Sequence, residues 1–127
     1  AAEQGNAPAQ SNLGVLYQTG KGVAHDDTEA AKWCRKAAEQ GIAGAQFNLG
    51  LMYEDGRGVP QDDILAHMWF TLAASRFSAS EGKSRERAVK NRDLVASKMS
   101  PAQIAESERM AREWRPKVDV RSSRPSP

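Results

Sequence analysis

Apolar residues recur along the first two thirds of the chain with the spacing of α-helices. Ala9, Leu13 and Tyr17 fall at every fourth position, which places them on one face of a helix. Gly20 follows them, and glycine commonly lies just past a helix end because it adopts the left-handed conformation without strain. The pattern predicts a helix from residue 7 to about residue 19.

A second helix is predicted directly downstream, over residues 27–40. Asp26 precedes it and Glu29 lies three residues further on, which is the pattern of a capping box at a helix N-terminus. Its apolar side chains share one face, and they are Ala30, Trp33 and Ala37. Gly41 then marks its end, so the two helices form one pair joined by a short connector.

The same pair occurs again 36 residues further along. Residues 2–37 and 38–73 are identical at 19 of 36 positions without a gap. The second copy repeats the apolar positions as Ala45, Leu49, Tyr53, Ala66, Trp69 and Ala73. A period in the thirties is typical of helix-turn-helix units that stack on their neighbours. The sequence predicts an all-α stack with one unit at 6–41 and another at 42–77.

A glycine recurs inside the first helix of each unit, as Gly14 and Gly50. Glycine in a helix interior costs about 1 kcal/mol relative to alanine, so its recurrence indicates a packing requirement. We expect the partner helix to approach closely at this point. The tryptophan of each second helix, Trp33 or Trp69, is predicted to lie across the gap.

Glycines flank a basic residue in each connector, at "GKGVA" (20–24) and "GRGVP" (56–60). Such loops raise the question of phosphate binding, but a P-loop needs G-x-x-x-x-G-K-[ST] between a strand and a helix. These loops lack that spacing and each follows a helix. We interpret them as connectors in which the glycines permit the bend, the valine packs beneath the loop, and Lys21 and Arg57 are solvated.

No catalytic residue, metal ligand or cofactor site is predicted. His25 adjoins two aspartates, but helix capping accounts for the aspartates and Gln61 replaces the histidine in the second unit. Cys34, the single cysteine, is expected to be a small buried hydrophobe. No nucleophile accompanies a base at the spacing of a known catalytic motif.

One face of the second helix is polar in the first unit and apolar in the second. The corresponding pairs are Thr28/Ile64, Glu29/Leu65, Lys32/Met68 and Lys36/Leu72. An exposed apolar patch of this size favours aggregation, so we expect the downstream sequence to cover it.

Residues 78–115 are predicted to form this cover, as a C-terminal cap of two helices. The first spans about 81–99 and carries Ala88, Val95 and Met99 on one side. The second begins at "SPAQ" (100–103), a capping box with proline at the first helical position, and ends near Arg115. Its apolar side is formed by Ile104, Ala111 and Trp114. Residues 116–127 have no apolar stripe and are expected to be disordered.

Charge divides the chain. Residues 1–75 contain 5 Lys/Arg and 9 Asp/Glu, whereas residues 76–127 contain 13 and 7, so the balance changes from −4 to +6. The basic half leaves open binding to nucleic acid or an anionic surface, although acidic residues interleave and no stacking aromatics accompany the cations. No apolar run approaches the length of a membrane span.

Both units resemble the Sel-one-like repeat, a relative of the tetratricopeptide repeat. The shared pattern is A-x-x-x-L-G-x-x-Y-x-x-G-x-G-V-x-x-D-x-x-x-A-x-x-W-x-x-x-A-A-x-x-G, and it covers residues 1–77 except that Phe77 replaces the closing glycine. "SPAQIAESERMAREW" is similar to the closing helix of many such arrays. The resemblance implies a right-handed α-solenoid that acts as an adaptor for protein or peptide partners, without a small-molecule substrate.

The candidate contact surface lies on the first helices, which line the concave face in solenoids of this kind. The positions that vary between the units form one stripe, and the candidates are Ser11, Val15, Gln18, Phe47, Leu51 and Glu54. Phe47 and Leu51 are the expected anchors. The alternative is that this stripe packs against the first helix of the next unit. Asn12 and Asn48 recur at one position of the two units, which favours a scaffold role, although an amide here can also clamp a peptide backbone.

The resemblance leaves one enzymatic alternative, because relatives with cysteine-paired repeats have been linked to β-lactam hydrolysis. It also favours a bacterial protein of the envelope, the periplasm or the exterior over a cytoplasmic one. "AAEQG" at 1–5 duplicates residues 37–41, so we expect the chain to begin at the end of an earlier unit. An open N-terminal end of this kind is a candidate for weak self-association.

Overall fold

The computed structural model describes residues 26–117, which form five α-helices and one 3-10 turn. The helices are α1 (Asp27–Glu39), α2 (Ala43–Asp55), α3 (Asp63–Arg76), α4 (Gly82–Ala96) and α5 (Pro101–Glu113), with the 3-10 turn (Ala79–Glu81) before α4. No strand occurs in this part of the chain. The helix predicted over 7–19 lies outside the described residues.

The helices begin and end where the sequence provides capping residues. The side chain of Asp26 accepts a hydrogen bond from the Glu29 amide at 3.1 Å, and Asp62 does the same for its own helix. Gly41 and Gly56 adopt positive φ after α1 and α2. Phe77, which replaces the third closing glycine, leaves α3 in extended conformation and buries its ring in the core.

α3 is the central helix of this region, because α2, α4 and α5 all pack against it, while α1 packs against α2. The arrangement is an α-α solenoid closed at one end by two further helices. Its main core joins the units to the cap through aliphatic and aromatic side chains that include Leu49, Met68, Trp69, Phe70, Leu72, Phe77, Val95 and Met99.

The close approach at Gly50 is confirmed, but the predicted partner is wrong. A Cβ at Gly50 would lie 2.7 Å from the ring of Phe70, so the glycine makes room for Phe70 rather than for Trp69. Trp69 instead contacts Trp114 edge to face, with ring centroids 6.1 Å apart. Trp69 and Phe70 are neighbours in sequence, so their side chains point in directions about 100° apart around α3. Phe70 therefore faces α2, and Trp69 faces the cap.

The connector 56–60 packs against the preceding unit. Gly58 has a φ of +74° and lies so close to the backbone of Asp27 that a Cβ would clash with it. Val59 packs beneath the loop, as predicted. The prediction that Arg57 is merely solvated is wrong, because its guanidinium lies 3.1 Å from the Asp27 carboxylate. The loop therefore holds two consecutive units together.

The cap covers the apolar face of α3, which confirms the main structural prediction. Met68 and Leu72 are buried, and Leu65 is partly buried against the same core. α4 contributes Ala88 and Val95 as buried residues, and Met99 between the two cap helices is buried as well. Ile104 and Ala111 of α5, with Trp114 just after it, are partly buried against the same core.

The end of the cap differs from the prediction in two respects. α5 ends at Glu113 rather than near Arg115, because the residue before Pro116 is disfavoured in helical conformation. Residues 116 and 117, expected to belong to a disordered tail, are among the described residues. The Lys117 amide donates to the Glu39 carbonyl at 2.6 Å, and the Lys117 ammonium lies 3.2 Å from the Glu39 carboxylate. Residues 118–127 lie outside the described residues.

Candidate interaction groove between α2 and α4

The predicted contact stripe lies on α2 where the structure describes it. Phe47, Leu51 and Glu54 follow one another along this helix. The other three candidates, Ser11, Val15 and Gln18, lie outside the described residues.

Phe47 is mostly engaged in packing. Its side chain is 7% exposed, and its ring meets Phe70 edge to face with centroids 5.6 Å apart. The Arg87 guanidinium of α4 also lies over this ring, 5.3 Å from its centroid. Phe47 thus packs mainly against α3, the second helix of its own unit, rather than against the first helix of a following unit.

The space between α2 and α4 is an open groove of about 310 Å³. It is lined by Gly44, Phe47, Asn48, Leu51, Phe77, Glu81, Ser84 and Arg87. Phe47, Leu51 and Phe77 give it an apolar floor, and the remaining side chains place polar groups along its edges. Because Phe47 and Phe77 are themselves buried, most of the surface that the groove offers is polar.

Three of the polar groups are available to a ligand. The Asn48 amide and the Ser84 hydroxyl make no hydrogen bond within the described residues, and Arg87 is exposed with only the Phe47 ring beneath it. Glu81 differs, because its carboxylate accepts hydrogen bonds from the Ser78 amide at 3.1 Å and the Ser78 hydroxyl at 2.8 Å. These bonds lower the pKa of Glu81 and keep it charged.

Glu54 lies at the other end of the stripe, in a different electrostatic setting. Partial burial raises its pKa, and the negative charges of Asp55 and Asp63 act in the same direction. Lys98, just beyond α4, opposes them. This end of α2 is therefore acidic, whereas α4 is mainly basic.

Sequence reasoning missed the half of the groove that α4 supplies. Ser84 and Arg87 lie outside the repeated frame, so comparing the two units gave no signal for them. The order of the helices offered a signal. A helix that follows the last unit occupies the position of a further unit's first helix, and it therefore faces α2. Applying that rule to α4 would have identified Arg87.

The structure brings His67 and Ser107 together, a pair that the sequence did not suggest. The His67 Nδ1 and Ser107 Oγ atoms are 2.7 Å apart, which is the geometry of a base beside a nucleophile. Ser107 is fully buried, however, so a substrate has no access to its hydroxyl. The pair ties α3 to α5 as a buried hydrogen bond.

Cys34 is buried, as predicted, and burial raises the pKa of its thiol from 9.0 to about 11. The thiol is therefore protonated at neutral pH and is a poor nucleophile. Residues 26–117 contain no cluster of three or more His, Cys, Asp or Glu side chains suited to a metal ion. The described helices also include none that is long and apolar enough to cross a membrane.

Comparison with known proteins places this architecture in a family. No curated protein matches the chain. Among solved structures, the chain is similar to a protective antigen with an SLR fold that is present in uropathogenic Escherichia coli strains. That similarity has a TM-score of 0.79 and 35% identity, and it covers 89% of this chain and 23% of that one.

A Sel1 repeat protein from Oxalobacter formigenes is also similar, with a TM-score of 0.61 and 38% identity over 68% of this chain and 65% of that one. The chain thus spans less than two thirds of either protein. The Sel1 repeat model matches residues 7–42 and 43–76, more than half of the sequence. The chain belongs to the Sel1 repeat family, the Sel-one-like repeats that its glycine, alanine and tryptophan pattern resembles.

Proposed function

We propose that this chain is a non-catalytic scaffold that binds a protein or peptide segment in the groove between α2 and α4. Sel1 repeat proteins are generally protein-interaction scaffolds, and their fold is typically non-enzymatic. The observation that carries the proposal is the groove itself, in which the Asn48 amide and the Arg87 guanidinium stand beside an apolar floor.

Leu51 is the proposed anchor of the site. It lines the groove and is only partly buried, so a ligand side chain can still contact it. Phe47 supports the floor from beneath, since most of its ring is already covered. The stripe continues toward Glu54, and the proposed contact residues also include Ser11, Val15 and Gln18, which lie outside the described residues.

The rigidity of the two walls supports binding without a large entropic cost. α2 and α4 are both fixed to α3, and Phe70 locks α2 through its contact with Gly50. A groove between fixed helices is organised before the ligand arrives, which favours affinity.

Site-specific photo-crosslinking tests the proposal. A photoreactive phenylalanine analogue is placed at Leu51 or, as a control, at Ala105, an exposed position on α5. After irradiation in extract of the source organism, the Leu51 variant is expected to form a discrete protein or peptide adduct. The Ala105 variant is expected to form none.

The adduct must also depend on the groove. Asn48→Ala together with Arg87→Ala, combined with the probe at Leu51, is expected to reduce its yield at least about tenfold, because both substitutions remove polar contacts to the ligand. The absence of any adduct at Leu51, or the same adducts from both probe positions, would refute groove binding.

A further inference from the structure

We infer that the groove selects acidic peptide segments, because Arg87 lines it and two further cations lie on the same face of α4 as Arg87. This inference rests on the proposed function and specifies its ligand. The row, here called the cationic ridge, consists of Lys83, Arg87 and Lys90. Their spacing of i, i+4 and i+7 places them on one face of α4, and all three are exposed.

No ion pair among the described residues involves the ridge, although Glu86 of α4 lies three residues after Lys83 and four before Lys90. Ion pairs there engage Arg57, Arg92, Arg109 and Lys117, and none involves the ridge. Glu81 is the nearest acid lining the groove, and its carboxylate is bound to Ser78. The three cations are therefore available to an external anion.

Two further features favour an anion at this edge. Lys83 lies in the first turn of α4, where the helix dipole attracts negative charge. Arg87 is held over the Phe47 ring, so its guanidinium is positioned before a ligand arrives. An acidic side chain beside Lys83 or Arg87 thus meets an attractive potential, while a large apolar side chain rests on Leu51.

A peptide fits these features better than a nucleic acid does. Single-stranded nucleic acids bind through aromatic side chains on which their bases stack. The aromatic rings of the groove, Phe47 and Phe77, are both buried in packing. The free Asn48 amide has one acceptor and two donors, which suit the alternating groups of an extended peptide backbone.

Peptide selection against the full chain tests the inference. A phage-displayed library of random 12-residue peptides is panned on the immobilised protein, and enriched peptides are made with a fluorescein label. We expect these peptides to share an excess of Asp and Glu and one large apolar residue. Dissociation constants are then measured by fluorescence anisotropy.

Two charge-matched variants locate the interaction. Arg87→Glu with Lys90→Glu reverses the ridge and is expected to weaken binding at least about tenfold. Arg112→Glu at the end of α5, with Arg115→Glu just after it, changes the net charge by the same amount and is expected to change the dissociation constant less than about twofold. Circular dichroism checks that both variants remain helical.

The outcomes separate this inference from the proposed function. Enriched peptides without acidic excess that lose affinity in Leu51→Ala would overturn acid selectivity and leave groove binding standing. Failure to enrich any peptide, or affinity unaffected by every groove variant, would overturn both. A labelled 12-nucleotide single-stranded DNA is tested in the same assay. If it binds more tightly than the peptides, and if reversing the ridge abolishes that binding, the ridge is assigned to nucleic acid instead.

Discussion

α1 and α3 occupy the same place in consecutive repeats and share the same capping aspartate, alanine and tryptophan positions, yet their outer faces differ. On α1, Lys32 and Lys36 are exposed, and their ammonium groups lie over the ring of Trp33 at 5.4 and 4.5 Å. On α3, the equivalent Met68 and Leu72 are buried. One scaffold therefore carries a solvated face and a docking face.

The difference shows how few side chains end a repeat array. Burying a Met or Leu side chain contributes about 1.5–3 kcal/mol, and α3 buries two of them where α1 has lysines. The backbone, the caps and the connector are shared. Whether a further repeat or a cap follows is thus decided by the outer face of the second helix.

Transferring the lysines to α3 is expected to have the largest effect on stability. Met68→Lys with Leu72→Lys places two charges where α3 is buried, so the cap must detach or the charges must lose water. We expect the free energy of unfolding in urea to fall by at least about 4 kcal/mol. The reverse exchange on α1, Lys32→Met with Lys36→Leu, serves as the control. It should change the free energy of unfolding by less than about 0.5 kcal/mol.

Cys34 of α1 and Phe70 of α3 are equivalent positions on the inner faces of their helices. Replacing each by alanine tests how much packing on that face contributes to stability. Phe70 is fully buried against Gly50 and Phe47, so Phe70→Ala is expected to cost about 3 kcal/mol. Cys34→Ala removes one buried heavy atom and should cost about 1 kcal/mol. If both variants lost the same free energy of unfolding in urea, the two inner faces would be packed alike, contrary to this account.

His67 is expected to make the stability of the cap depend on pH, whereas its counterpart in α1 is Ala31. Burial lowers the pKa of His67 below its ordinary value of 6.5, and the Arg92 charge adds to this effect against the opposing charges of Glu108 and Asp93. The unfolded chain then binds more protons than the folded one, so stability should decrease as the pH falls through 6.5.

The measurement is the difference in unfolding free energy between about pH 7.5 and about pH 5.5, which lie on either side of the ordinary histidine pKa of about 6.5. His67→Gln, which does not titrate, should show a smaller decrease than the natural chain. Ser107→Ala keeps the histidine and should retain the pH dependence. A natural chain as insensitive as His67→Gln would exclude the histidine as the cause.

The smallest effect is expected in the connector. Arg57 and Asp27 form an ion pair that is partly exposed, and such pairs contribute little in water. Arg57→Ala should lower the unfolding free energy by no more than about 0.5 kcal/mol. A loss several times larger, measured in the same urea titration, would mean that the loop depends on this pair rather than on Gly58 and Val59.

Much of the fold was predictable because local chemistry fixes where helices start and stop. Asp26, Asp62 and Ser100 cap their helices as the sequence indicates, and Ser100 and Gln103 complete the predicted capping box. The apolar face of α3 also indicated that a cap must follow. These features depend on residues close in sequence, or on a polarity that a repeat comparison exposes directly.

Contacts between distant residues were not predictable in the same way. The choice of Phe70 over Trp69 at Gly50 depends on the rotation of α3 relative to α2. The contact of Lys117 with Glu39 joins residues 78 positions apart. The α4 wall of the groove, including Arg87, arises from how a non-repeated helix docks. The spacing of residues along one helix does not determine how that helix is oriented against its neighbours.

Native-state hydrogen exchange of the α5 amides tests most directly whether the apolar face of α3 holds the cap. In the natural chain, the amides of residues 104–113 should be protected, because they are bonded within α5 and α5 is docked. In Met68→Lys with Leu72→Lys, their exchange should accelerate at least about tenfold while α2 remains protected. Unchanged α5 protection in that variant would contradict the account.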